Sequence, residues 1–415
     1  MQIFLVGGAV RDKLLGYPYS EKDWVVVGAT HQEMIEQGFT QVGKDFPVYL
    51  HPQTKDEYAL ARTERKTGNG YTGFQFNSDP TITLEEDLAR RDLTINAIAE
   101  TETGDIVDPY NGQRDIQNKI LRHVSHAFTE DPVRILRVAR FAARYAHLGF
   151  TLAEETRLLM EQMVLNGEVD HLVSERIWKE LYRALSEPTP TQFIETLRSC
   201  HALKKIMPEL DALFGVPQPE QHHPEIDTGV HALLSLKRAA SLSDSTRIRF
   251  AALIHDLGKG TTPEETLPHH YGHEEEGVAL VDHLCNRLSA PNEYRDLARI
   301  CTRFHTHCHK AFELKPSTLL KVLEQTDAYR KPDRFEEFLI CCQADAQGRT
   351  GKENTAYPQA EFLHRAYQVT SNINVKALLE QGITGKDLGE AIRRERLRQL
   401  KILKQAENKP NAHTE

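Results

Sequence analysis

Glu21 and Asp23 stand one residue apart where an apolar strand, WVVV, begins. In an extended chain residues two apart face the same way, about 6.5 to 7 Å between Cα atoms, so the two carboxylates project together and Lys22 points away. Carboxylates held this close repel each other unless cations lie between them, and such hard oxygen donors suit one or two Mg²⁺ ions. Ions there can activate an attacking hydroxyl and neutralise the phosphates of a nucleoside triphosphate. Upstream, Gly7 and Gly8 close a first apolar strand where a helix begins, and Arg11 follows one turn later. Backbone amides free of side chains can approach a phosphate there, helped by the helix N-terminus. Alone, a Gly-Gly turn is most often structural, and an E-x-D most often a solvated turn. Together they describe a metal-dependent nucleotide-handling site.

A second chemistry lies further on. His255 and Asp256 end an apolar helix over residues 249–257, ahead of the turn GKG. Neighbours on a helix are about 100° apart, close enough to share a metal. His231 lies upstream, His269, His270 and His273 sit in HHYGH, and His305, His307 and His309 lie downstream. A lone histidine is usually structural, but this many in one segment favours a metal centre. Asp345, in QADAQGR, and His305 are the candidates to close the ligand set. The segment CTRFHTHCH lacks the paired CxxC of a zinc knuckle, and LGKG lacks the surroundings of a Walker loop.

Between these sites runs an arginine-rich helix. At 100° per residue Arg134, Arg137, Arg140 and Arg144 fall within roughly 120° of one another, opposite an apolar face. The plain reading is an exposed arginine stripe, with Glu130 and Asp131 as ordinary i,i+4 and i,i+3 partners of Arg134. The functional reading uses base chemistry. Cytosine and adenine each present an amino donor beside a ring acceptor, whereas uracil and guanine present a carbonyl beside a ring N–H. A carboxylate and a guanidinium side by side accept the first two and reject the others.

These residues need a scaffold. The 415-residue chain is too long for one core, so two to four domains are expected, and 40% hydrophobic and 27% charged residues place it among folded globular proteins. Short β-branched strands at 3–6, 24–27 and 58–61 alternate with helices and turns up to about residue 121, which reads as an α/β or α+β head. Residues 65–72, RKTGNGYT, read as a mobile basic loop. From about residue 130 apolar residues recur at three and four spacing, which predicts helices over 133–145, 152–163, 177–185 and 193–203. Residues 215–223 read as a linker, a helical unit spans roughly 227–329, Lys331-Pro332 marks another break, and a polar tail begins near 405.

The net charge of −9 argues against a uniformly basic nucleic-acid coat, yet arginines crowd between residues 90 and 144 and allow a local basic cleft. No apolar run approaches the roughly 20 residues of a membrane span. The N-terminus lacks a signal-peptide pattern, and six cysteines without a CxxC pair suit a reducing compartment, so the cytoplasm is expected.

GGAVRD followed by E-x-D-W resembles the first motif of the DNA polymerase β superfamily of nucleotidyltransferases, and RRDLTINAIA at 90–99 resembles the second motif of the class II tRNA CCA-adding enzymes. DPYNG, EDPVRILRVARF and SERIWKE follow in that family's order, and the H…HD pattern is similar to the HD phosphohydrolases. The resemblance covers the whole chain. It implies an α+β fold: a polymerase β-like head with a small sheet (1–125), a mostly helical neck and body that binds tRNA (126–222), a helical HD domain (227–330) and a helical tail (331–415).

It also implies roles. Glu21 and Asp23 would be catalytic and hold Mg²⁺; Asp131 and Arg134 would select the base; Gly8, Arg11, Arg91, Arg137 and Arg140 would contact the nucleotide; Asp92 would orient Arg91 or cap a helix. In the HD domain His255 and Asp256 would be catalytic, with His231, His255, Asp256 and Asp345 holding a divalent transition metal such as Ni²⁺. The implied function is addition and repair of the tRNA 3′-CCA from CTP and ATP, plus phosphatase and 2′,3′-cyclic phosphodiesterase activity, in a monomer or homodimer. The alternatives are a poly(A) polymerase of the same superfamily, or an HD phosphohydrolase whose head merely binds RNA. The loop at 65–72 would move between CTP and ATP states. One letter departs from the family: its metal pair is usually D-x-D, and here the first member is Glu21.

Overall fold

Residues 1–206 and 207–415 fold as two units in the computed structural model, which describes residues 1–19, 21–42, 48–66, 74–221 and 223–407. The first unit is α+β. Its strands are β1 (Gln2–Val6), β2 (Asp23–Val27), β3 (Thr40–Val42), β4 (Val48–Leu50), β5 (Glu57–Leu60), β6 (Thr63–Lys66), β7 (Phe74–Asn77), β8 (Ala99–Thr101) and β9 (Ile106–Val107). Seven of them form one sheet in the order β3-β4-β5-β2-β1-β8-β9, antiparallel except where β2 runs beside β5. β2 is central and covered on both faces, which is why it reads as a continuous apolar run. Val25 joins Phe4, Val6 and Leu88 on one side; Val26 joins Met34, Tyr58 and Leu60 on the other.

Helices α1 (Gly8–Leu15), α2 (His31–Glu36), α3 (Leu84–Ala89) and α4 (Gly112–Asn118) accompany this sheet. Thr30 with Glu33 and Thr83 with Glu86 form capping boxes that start α2 and α3. A short pair of strands, β10 (Ile120–Leu121) and β11 (Thr151–Leu152), follows. The rest of the unit is helical: α5 (Val133–Tyr145), α6 (Glu154–Leu165), α7 (Ser174–Ser186), α8 (Thr191–Ser199) and α9 (Ala202–Ile206). The helix expected over 193–203 is therefore two, broken where His201 takes a φ of 63°. α5 packs against α7 and α8.

The second unit carries α10 (Pro208–Asp211), α11 (Thr228–Leu242), α12 (Thr246–Ile254), α13 (His273–Arg287), α14 (Asn292–His309), α15 (Pro316–Gln325), α16 (Pro332–Gln347), α17 (Pro358–Ser371), α18 (Val375–Glu380) and α19 (Gly385–Glu407). α11, α12, α14 and α16 pack on one another, with α13 against α14.

Two expectations change. Arg65 and Lys66 end β6, which pairs with β7 as a ribbon apart from the main sheet; residues 67–72 of the expected loop lie outside the described residues. The stretch 215–221 and His223, expected as a linker, is built into the second unit: Pro217 bridges Asp227, and Gln218 and His223 are buried. Gln218 is buried against Lys259 and His223 against Glu225, while Glu220 and Gln221 are exposed, which leaves no apolar period to read.

Candidate functional site

In the first unit Glu21, Asp23 and the arginines line one cleft of about 1380 Å³. Its position follows from register. Asp23 opens β2 directly across from Val6, the last residue of β1, so the carboxylate lies beside the Gly7-Gly8 turn. Gly7 has a φ of +70°, a left-handed conformation that favours glycine, and Arg91 Nη1 lies within 2.9 Å of where a Cβ would stand. The carboxyl of Asp23 is held above its ordinary range by surrounding protein and by Glu21, against the pull of Arg91. Two like charges on hard oxygens at a cleft facing arginines fit a divalent cation. On its other edge Asp23 pairs with Glu57 of β5, a third cleft-lining carboxylate. A lone Glu before a short strand carries no sequence signal, and Glu57 is found only through the pairing.

The arginines are each aimed by a partner. Arg11 bonds Asp12 at 2.8 Å and donates to Asn96 Oδ1 at 2.5 Å. Asp12 in turn accepts from Tyr145 at 2.7 Å and from Arg144 at 3.2 Å. Arg91 donates to Asp87 at 3.2 Å and Arg140 to Glu180 at 2.6 Å. Arg134 and Arg140 are only 7% and 8% exposed, so the plain reading of a solvated stripe does not hold. Buried guanidiniums are retained where they are paired or positioned for a ligand.

Two expected pairings are corrected. Asp131 pairs with Arg176, at 2.6 and 3.1 Å, rather than with Arg134. The reason is local: Asp131 is extended (φ −124°, ψ 108°) ahead of α5, so helical i,i+3 geometry does not apply to its side chain. Asp92 neither orients Arg91 nor caps a helix; it accepts from Arg137 Nε at 2.7 Å and from Asn96 at 2.8 Å. Burial opposes ionisation of Asp92, but Arg137 and Asn96 outweigh it and hold the carboxyl well below the usual range. Arg176, in SERIWKE, was legible as a motif letter but not as the partner of Asp131.

The second unit gathers its histidines as the sequence suggests. α12 ends at His255 and Asp256, α11 brings His231 and α16 brings Asp345, all buried. His255 Nε2 lies 3.2 Å from Asp256 Oδ2 and 3.6 Å from Asp345 Oδ2; His231 Nε2 lies 3.1 Å from Asp345 Oδ1 and 3.8 Å from Asp256 Oδ2. The four residues converge as metal ligands do. His255 Nδ1 is taken up by the Ala252 carbonyl at 2.9 Å, which turns Nε2 inward. Burial works against charge on His255, yet Asp256 and Asp345 prevail and hold it up at about 10. Such a pocket calls for positive charge, and its mixed nitrogen and oxygen donors fit a divalent transition metal.

Outer residues hold these ligands. Glu225 lies 2.9 Å from His231 Nδ1 and 3.1 Å from His223 Nδ1. His309 bonds Asp345 at 2.6 Å and is itself held by Tyr357 at 2.7 Å. Lys259 reaches Asp256 Oδ2 at 2.7 Å and Gln218 at 2.9 Å. The remaining histidines divide: His273 and His305 join the cluster at Asp256, whereas His270 bonds Thr262 and the Pro217 carbonyl and His269 stacks on Tyr271. No cysteine joins any of these groups among the described residues. Nor, among those residues, is any helix long and apolar enough to cross a membrane.

The chain matches the poly A polymerase head domain over residues 3–122, the probable RNA and SrmB-binding site of polymerase A over 149–214, and the HD domain over 228–334. It is 63% identical over 407 residues to a multifunctional CCA protein of Teredinibacter turnerae, covering 98% of this chain and 99% of that one. A multifunctional CCA protein of Thioalkalivibrio sulfidiphilus is 59% identical over 404 residues, covering 97% and 99%. Among solved structures, a CCA-adding enzyme in its apo form II superposes with a TM-score of 0.65 at 20% identity, covering 100% of this chain and 89% of that one. A CCA-adding enzyme in complex with CTP gives 0.63 at 19% identity, covering 96% and 87%. At those identities the structural likeness speaks for the fold.

Proposed function

The chain belongs to the multifunctional CCA protein family, and from that premise we propose that its first unit adds and repairs the 3′-terminal CCA of tRNA, using CTP and ATP. The tRNA 3′-oxygen attacks the α-phosphorus, a new P–O bond forms and pyrophosphate leaves. Glu21 and Asp23 hold Mg²⁺, which when bound neutralises phosphate charge and favours loss of the hydroxyl proton. Gly8 and Arg11 receive the triphosphate at the end of β1, with Arg91, Arg137 and Arg140 binding its oxygens or the sugar. Asp131 accepts from the cytosine or adenine amino group while Arg134 donates to the ring nitrogen, so uracil and guanine are refused. In this reading residues 1–125 perform transfer, and 126–222 select the base and clasp the tRNA.

The observation that carries this reading is that Asp131 and Arg134 line the same cleft as Glu21 and Asp23. The test is incubation with tRNA lacking CCA, labelled CTP and ATP, and Mg²⁺. The product should gain two C and one A and then stop. Extension with ATP alone past three nucleotides would instead make this a poly(A) polymerase, and no extension would leave only the phosphohydrolase.

For the second unit the proposal is hydrolysis of phosphomonoesters and 2′,3′-cyclic phosphodiesters, with His231, His255, Asp256 and Asp345 holding a divalent transition metal such as Ni²⁺. A bound metal supplies hydroxide at neutral pH; the protein's part is to fix the ligands and exclude bulk water. Asp256→Ala should abolish cyclic phosphodiester hydrolysis and leave CCA addition intact.

A further inference from the structure

Tyr145, the last residue of α5, is fully buried and stands outside the cleft lining, yet its hydroxyl sits behind Arg11. That hydroxyl donates to Asp12 Oδ1 at 2.7 Å and accepts from Arg144 Nε at 3.0 Å. Arg11 Nε donates to the same Oδ1 at 2.8 Å, while Arg144 Nη2 reaches Oδ2 at 3.2 Å. Asp12 is thus held at both oxygens from outside the cleft. A tyrosine hydroxyl has one hydrogen to give, and here it goes to the carboxylate. Burial raises the phenol well above its ordinary range against the pull of Arg11, so it remains a donor.

The other contacts of Arg11 turn one end of it toward a ligand. Nη1 donates to Asn96 Oδ1. The guanidinium carbon lies 5.1 Å and 5.2 Å from the ring centroids of Phe141 and Tyr145, two rings parallel within 6°. The remaining end, Nη2, lies 3.5 Å from where a Cβ on Gly8 would stand, and Arg91 Nη1 lies 2.9 Å from the same point on Gly7. Two guanidinium ends therefore converge on the turn that closes β1. The planar fork of Arg11 cannot swing away from that turn without breaking its bond to Asp12.

We propose that Tyr145 is a positioning residue for nucleotidyl transfer: its hydroxyl, through Asp12, fixes Arg11 so that Nη2 meets the phosphates at the Gly7-Gly8 turn. This rests on the reading of the first unit as a nucleotidyltransferase. Tyr145→Phe keeps the ring beneath Arg11 and removes only the hydroxyl. Arg144 Nε then loses its acceptor, and Asp12 is free to turn toward Arg144. The loss falls on the phosphate end of the nucleotide. Base choice, which that reading gives to Asp131 and Arg134 at the other end of α5, is untouched.

The test is displacement of labelled CTP from the full-length protein in Mg²⁺, with tripolyphosphate as the probe of the phosphate end and cytidine as the probe of the base end. In Tyr145→Phe the inhibition constant of tripolyphosphate should rise about tenfold, the scale of a lost hydrogen bond to a charged group, and that of cytidine should match the wild type. KM for CTP and ATP should rise together with kcat little changed. In an Arg11→Ala background the further change Tyr145→Phe should add less than about twofold, because the hydroxyl acts through Arg11. Unchanged tripolyphosphate binding in Tyr145→Phe would overturn the proposal. So would equal weakening of tripolyphosphate and cytidine, or a tenfold effect that persists without Arg11, since either would make the hydroxyl a packing element. A wild type that binds no CTP would overturn the nucleotidyltransferase reading itself, a result distinct from all of these.

Discussion

Arg137 donates through Nε to Asp92 Oδ2 at 2.7 Å, and this one bond ties α5 to the turn of the RRD motif. It belongs to a chain: the other oxygen of Asp92 accepts from Asn96, and Asn96 Oδ1 accepts from Arg11. Two arginines that line the cleft, 126 residues apart in the chain, are therefore linked to one carboxylate, Arg137 directly and Arg11 through Asn96. If the cleft binds the nucleotide as proposed, substrate binding and the stability of the head are coupled at Asp92.

Removing that carboxylate should be felt in both. Asp92→Ala leaves Arg137 and Asn96 without their partner; Asp92 is buried but the Arg137 side chain is 36% exposed, so the cost falls below the roughly 3 to 5 kcal/mol of a fully buried pair. The KM for CTP and ATP should rise, and the denaturation midpoint of the first unit should fall.

The same pair sets an acid limit. The folded pKa of Asp92 is depressed, so its contribution is fully present above the unfolded value of about 3.9 and is lost as pH falls through the folded one. Unfolding of the first unit should show no contribution from Asp92 between about pH 5 and 8 but a loss below about 3.9. Asp92→Asn should be less stable at neutral pH and should flatten that acid limb; an unchanged limb would assign it to other carboxylates.

In the proposed reading the carboxylate that chooses the base, Asp131, is aimed by Arg176, which lies 45 residues away in the chain. Asp131→Ala should admit UTP in place of CTP, and continued exclusion of UTP would refute the templating role. Arg176→Ala keeps the acceptor but frees its orientation, so kcat/KM for CTP and ATP should drop about tenfold, some 1.4 kcal/mol, with selectivity lowered less than in Asp131→Ala.

Glu225 offers a test of the metal centre that leaves its ligands in place. It holds the Nδ1 side of His231, and outer partners of this kind typically matter 10- to 100-fold in metal affinity. Glu225→Gln should weaken Co²⁺ binding by about that factor while CCA addition by the first unit stays unchanged. Equal affinity would show that His231 is fixed by packing alone.

What could be read from the sequence is what local spacing encodes. Glu21 and Asp23 announce themselves through a period of two, and the arginines of α5 through a period of 3.6. His255-Asp256 stands out through adjacency. Glu57, Glu225 and the pairing of Arg176 with Asp131 are not legible, because each acts through a residue brought beside it by register or packing rather than by spacing. Asp131 shows the limit from the other side: its distance from Arg134 suggests a helical pair, but it precedes the helix and takes extended dihedrals, so the chain sends its carboxylate elsewhere. Segment 215–223 looked like a linker because the usual sign of packing, apolar periodicity, is absent where polar groups are buried in pairs.

Glu21 is the remaining letter to explain. Asp23 is pinned by its pairing with Val6 and Glu57, whereas Glu21 lies exposed in the lead-in to β2, outside the ladder. A residue that starts further from the ladder needs a longer side chain to bring its oxygens beside those of Asp23, and glutamate supplies one more methylene. Glu21→Gln removes a charge that raises the Asp23 carboxyl, so in the metal-free protein Asp23 should titrate lower, and half-saturation by Mg²⁺ should need more metal. Transfer by Glu21→Ala should fall roughly 10³-fold, about 4 kcal/mol, as expected where a metal ligand is lost. Glu21→Asp is the discriminating variant. If reach is the reason for glutamate, its Mg²⁺ requirement should rise above that of the wild type; if carboxylate charge alone matters, the two should coincide.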